Sequence, residues 1–71
     1  MPTQIIMDRR GDTRHQFDAA DAARAEERFR GLTQRGFKAI ALGENGAENK
    51  LINKFDPLVE RTLFIPQLQG G

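Results

Sequence analysis

The chain contains no cysteine. Disulfides, thiol catalysis and cysteine-held metal centres are thereby excluded, and an intracellular protein is expected. Nor is there an apolar run near the ~20 residues that a membrane-spanning helix requires. The N-terminal stretch lacks the charged-then-apolar layout of a secretory signal. Together these absences predict a cytoplasmic protein with no membrane partner. A dominant charge is missing too: eleven Lys and Arg against ten Asp and Glu leave a formal net charge of +1. So small an excess provides no long-range field towards nucleic acid or an anionic surface. The sequence shows no internal repeat and no low-complexity tract.

What remains is a chain of 71 residues, 38% apolar and 30% charged, an ordinary composition for a folded soluble domain. The length allows one domain, near the lower limit for a chain that folds on its own core. Thr3–Arg9, "TQIIMDR", alternates as a strand, with Thr3, Ile5 and Met7 on one face and Gln4, Ile6 and Asp8 on the other. Gly11-Asp12 supplies turn chemistry, and Thr13–Phe17 alternates again, so a β-hairpin is predicted. Asp18 is placed to cap a helix. Asp21 puts negative charge at the positive end of the helix dipole.

The helix is predicted over residues 19–35, "AADAARAEERFRGLTQR". Ala22, Ala25, Phe29 and Leu32 share a face at helical spacing, with Arg24, Glu27, Arg28 and Arg35 turned largely away from it. Gly36 stands where a helix commonly ends in the left-handed conformation. Phe37–Leu42 is apolar on both faces and reads as a well-covered strand. Asn45-Gly46 is a strong hairpin signal, and Lys50–Phe55 alternates after it. Asp56-Pro57 forces a turn. A last strand is expected at Arg61–Ile65, where Pro66, with no N–H to donate, stops pairing. The order β-β-α-β-β-β predicts a two-layer α+β domain, one helix on a mixed four- or five-stranded sheet. A β-grasp shape, with first and last strands parallel at the sheet centre, suits that order.

The C-terminal stretch "TLFIPQLQGG", Thr62–Gly71, carries a resemblance. A hairpin, a helix, further strands and a last strand running into Gly-Gly is similar to the ubiquitin-like β-grasp family. The ending resembles two of its branches. One is the small sulfur carriers, notably the small subunit of molybdopterin synthase. The other is ubiquitin, whose tail leucine Leu68 would match. Gln67 and Gln69 stand where ubiquitin carries basic residues. The resemblance implies a protein that is no enzyme itself and holds no cofactor of its own. It implies an E1-like adenylating enzyme as partner, which supplies ATP and Mg²⁺ and activates the carboxylate of Gly71. A conjugation target or a sulfur-acceptor enzyme would follow, and the carrier would be a monomer. The expected division is a domain at residues 1–66 and a flexible tail at 67–71.

Physical chemistry fits that expectation. Six residues from Pro66 to Gly71 span roughly 20 Å when extended, long enough to enter a buried active site. Gly70 and Gly71 lack a Cβ and pass a narrow channel. Pro66 stiffens the exit from the strand, and Leu68 offers an apolar anchor. Other features read more simply as structure. His15, the single histidine, lacks companions for a metal or nucleophile site and suits a packed or half-exposed strand position. Arg10-Gly11-Asp12 is a hairpin turn before it is an adhesion motif. Asp18, Asp21, Glu26 and Glu27 suit capping and solvation. Arg9, Arg10, Arg14, Arg24, Arg28, Arg30 and Arg35 are interleaved with acidic residues. They leave open a second reading, a small protein- or nucleic-acid-binding adaptor using an arginine-rich hairpin or helix face.

Overall fold

The computed structural model of the chain describes residues 1–66. They form β1 (Thr3–Asp8), β2 (Gly11–Gln16), a short 3-10 turn (Ala19–Asp21), α1 (Ala22–Gln34), β3 (Phe37–Ala41), β4 (Lys50–Ile52) and β5 (Arg61–Pro66). The strands build one sheet in the order β2-β1-β5-β3-β4. β5 pairs parallel with β1, from Thr3↔Arg61 to Ile6↔Phe64. It pairs antiparallel with β3 on its other side, and both outer pairs are antiparallel. The last strand therefore lies beside the first at the sheet centre, as the apolar content of both strands predicts. α1 packs on one face, giving the expected two-layer α+β architecture.

The helix face is the one read from spacing: Ala25, Phe29 and Leu32 are buried. Phe29 and Leu32 meet Ala39 and Phe64 of the sheet, with Ile6, Phe37, Ile52 and Phe55 around them. Phe64 at 0% and Phe29 at 2% exposure mark the centre of the core. Asp18 caps as expected: its carboxylate accepts the Asp21 N–H at 3.2 Å. The first turn is nevertheless 3-10, and the α-helix proper begins at Ala22. At the other end Gly36 takes φ +97°, where a side chain would be strained.

Two turns and one strand end differ from their sequence expectations. In the first hairpin Asp8 pairs with Gly11, so Arg9-Arg10 forms the turn and Gly11 already belongs to β2. The Asp8 carboxylate explains the shift, accepting the Arg10 N–H at 2.8 Å as an Asx-type turn. Asn45-Gly46 does turn the chain, both residues taking positive φ and Ala47 N–H reaching Glu44 O at 3.0 Å. It lies inside a longer loop, residues 42–49, rather than at the tip of a tight hairpin. That loop is tied by Asn49, whose side-chain oxygen accepts the Gly43 N–H at 2.8 Å. β4 stops at Ile52, short of the expected Phe55. Phe55 turns inward, with ring centroids 5.8 Å from Phe17 and 6.1 Å from Phe29. Burying an aromatic ring against two others outweighs three more residues of edge pairing. At Asp56-Pro57 the expected turn is present, with Asp56 accepting from Leu58 and Val59.

Candidate functional site

The sequence points first to the end of β5. Pro66 is its last residue, exposed and opposite Phe37. Pairing thus runs one residue beyond Ile65 and includes Pro66, which was expected to stop it. Leu68, Gly70 and Gly71 lie outside the described residues, as does the whole expected tail. What the fold contributes is the anchorage before it. β5 has a strand on each side, so its path is fixed by two hydrogen-bonded ladders. Beside its end, Met7, Asp8, Arg9, Ile65 and Pro66 line a recess that is apolar over most of its surface.

The sheet face opposite α1 carries a second feature. Ile6, Ala39 and Phe64 are cross-strand neighbours in the core, so by alternation Ile5, Leu63 and Ile40 point to the other side. Register aligns them: Ile5 beside Leu63, Leu63 beside Ile40, and Ile40 beside Leu51. The row runs across four strands. It is covered best at Ile5 (7% exposed) and least at Leu51 (66%). Met7 and Ile65 extend the same face towards the end of β5. This apolar row has no layer of secondary structure over it among the described residues.

The third feature lies between α1 and β2. Gln4 is 1% exposed, yet both its side-chain polar atoms have a partner. Its amide nitrogen donates to the Ala25 carbonyl at 3.0 Å, and its oxygen accepts from the Arg28 guanidinium at 2.9 Å. Arg28 is consequently half-buried against the sheet, and the expectation that it turns away with Arg24, Glu27 and Arg35 is corrected. A buried amide offers a fixed acceptor and the guanidinium fork takes it. His15 is the cross-strand neighbour of Gln4. Partial burial, with the Arg28 charge adding to it, holds the imidazole below its ordinary value of 6.5. His15, Gln16, Phe17, Asp21, Arg24 and Arg28 line a small recess here.

The remaining candidates take structural places. His15 is half-buried on its strand, as its isolation in the sequence predicts. Arg10, Gly11 and Asp12 are exposed at the hairpin end. Asp18 caps the helix start, and Glu26 and Glu27 are exposed on α1. Among the described residues no cluster of three or more His, Asp or Glu could hold a metal ion. Lys38, Lys50 and Lys54 are exposed. No helix among them is long and apolar enough to cross a membrane.

Two features escaped sequence reading. The Gln4–Arg28 bond joins residues 24 positions apart, and a glutamine on a strand carries no local sign of a distant partner. The apolar row had a signal, since Ile5, Ile40 and Leu63 are apolar at positions opposite to the core parity. Seeing it required the register. In comparisons with family models, curated proteins and solved structures, nothing matches this chain.

Proposed function

We propose that the protein is a ubiquitin-like β-grasp carrier whose working group is the carboxylate of Gly71. The observation that carries this reading is the placement of β5. The strand that leads to "QLQGG" is the central one of five, parallel to β1 and antiparallel to β3. A partner that draws the C-terminal residues into its active site pulls on a strand held from both sides. The domain then acts as a fixed handle for a short deliverable segment. Gly70 and Gly71 pass the channel, Leu68 anchors in it, and Pro66 sets the direction of exit. The apolar row through Ile5, Leu63 and Ile40, continued by Met7 and Ile65 towards Pro66, gives the same partner a surface to press on.

A carboxylate is a poor electrophile. An adenylating enzyme of the E1-like type overcomes this by directing a Gly71 carboxylate oxygen onto the α-phosphorus of ATP. An acyl-adenylate forms and pyrophosphate leaves. A sulfur or amine nucleophile then attacks the carbonyl carbon and AMP departs. The carrier contributes position rather than acid–base chemistry, in keeping with a chain whose carboxylates serve as caps, turns and surface charge.

The test uses the intact chain with an adenylating enzyme encoded in the same genome, ATP and Mg²⁺. Carrier-dependent exchange of pyrophosphate into ATP is expected, and it is lost when Gly70 and Gly71 are deleted. Exchange that proceeds equally with the deleted chain, or none with any adenylating enzyme of that genome, refutes the carrier reading.

A further inference from the structure

The recess between α1 and β2 has a construction that the carrier reading does not use. We propose that it is an oxyanion site that receives a carboxylate side chain, Asp or Glu, of a partner protein docking on the helix side of the domain. Three properties support it. First, Arg28 is held in place from beneath: one nitrogen of its guanidinium is bonded to Gln4, which is itself locked by Ala25. The other donors of the fork remain, and Arg28 has no carboxylate partner among the described residues. Second, Arg24 stands one helical turn earlier on the same stripe and lines the same recess. It too lacks an ion pair among the described residues. Third, His15 forms the strand side of the recess. In its neutral form it presents a ring N–H to an oxyanion, and once an anion is bound the protonated form is favoured as well.

The chemistry selects within the anions. The guanidinium donors that Gln4 does not engage can take a carboxylate through both of its oxygens. Asp21 is also on the rim, so the two guanidinium charges of Arg24 and Arg28 against its carboxylate leave the lining one net positive charge, which a single carboxylate balances. Beyond the recess the helix flank runs past Glu27 and Arg30 to Gly31, where no Cβ narrows the approach. The site lies on the opposite layer from the Ile5–Leu63–Ile40 row. The protein thus presents two separate faces, and this one stands whether or not the C-terminal glycines are activated.

Its test is a titration of the full chain, followed by NMR at the His15 ring and the Arg28 side-chain N–H. The probes are blocked glutamate, blocked glutamine and inorganic phosphate, at constant ionic strength held with sodium chloride. Blocked glutamate should shift both signals saturably and raise the titration midpoint of His15, and blocked glutamine should do neither. Arg28→Gln should weaken binding about tenfold, the scale of one lost charge-assisted bond. Should that variant fail to fold, Arg24→Gln, at an exposed position, must weaken it in the same direction. Gln4→Met, which removes the anchor and keeps Arg28, should weaken binding while the amide spectrum stays folded. The proposal is overturned if sodium chloride alone produces the same shifts, if phosphate binds more tightly than blocked glutamate, or if neither arginine substitution matters.

Discussion

Phe64, in the central strand, meets Phe29 of the helix edge-on, with ring centroids 5.6 Å apart and planes inclined at 74°. This contact joins the two layers at their most buried point. Truncating Phe29 to alanine removes its packing on both Phe64 and Phe55 and leaves a cavity. A loss of ~3–5 kcal/mol is expected, a large share of the stability of a domain this small. Chemical denaturation of Phe29→Ala checks it, and a loss below ~1 kcal/mol would show that the ring does not carry the interface.

Two glycines should respond to alanine in opposite directions. Gly31 lies in α1 with open space where a Cβ would stand, so Gly31→Ala should raise stability by ~0.5–1 kcal/mol through helix propensity and reduced unfolded-state entropy. At Gly43 an added Cβ would collide with the Ala47 backbone. Gly43→Ala should therefore destabilise, and it should shift the amide signals of residues 44–48. Equal Tm values for the two variants would contradict this account of the β3–β4 loop.

The environment of His15 makes a pH prediction. Because the folded state holds its imidazole below 6.5, the unfolded chain takes up the proton first as pH falls. Stability is thus complete well above 6.5 and declines from there down to the lower folded value, after which this residue adds no further change. Urea titrations between neutral pH and about pH 5 should show the decline in the wild type and a flatter profile in His15→Gln. A wild-type profile that rises on acidification through this window would reverse the sign and refute the assignment.

The C-terminal glycines should matter to activation and not to folding. Deleting Gly70-Gly71 should leave Tm within about a degree, because glycine carries no side chain to pack. Gly70→Val should likewise fold normally while failing in adenylate formation, since a branched side chain restricts both channel and backbone. A thermal melt beside an activation assay separates the two effects. A deletion variant that unfolds, or one that is adenylated as well as the intact chain, would count against the carrier reading.

Central strands should also be the slowest to exchange their amides. Ile5, Leu63 and Phe64 lie in β1 and β5, each flanked by strands on both sides, and local opening there requires most of the fold to open. Hydrogen exchange should rank them above Arg14 in the edge strand β2 and Leu51 in the edge strand β4. Fast exchange at Leu63 would contradict the central position of β5.

Local chemistry alone determined much of this protein. Period and capping set α1 and its buried face through Ala25, Phe29 and Leu32, because a 3.6-residue repeat is a property of the chain itself. Gly36 ended the helix and Asp56-Pro57 turned the chain for equally local reasons. Alternation of apolar and polar residues located most strands, although it read Lys50–Phe55 as one strand and placed the first turn too late. The tertiary structure decided the rest. Phe55 left the strand pattern because Phe17 and Phe29, distant in sequence, offered an aromatic site. Arg28 turned inward because Gln4, buried on β1, needed a partner, and a buried polar group without one is costly. The row from Ile5 to Leu51 exists only through register, which is settled between strands and not within them. Propensity acts over a few neighbouring residues, whereas burial and hydrogen-bond satisfaction are decided among groups that only the folded chain brings together.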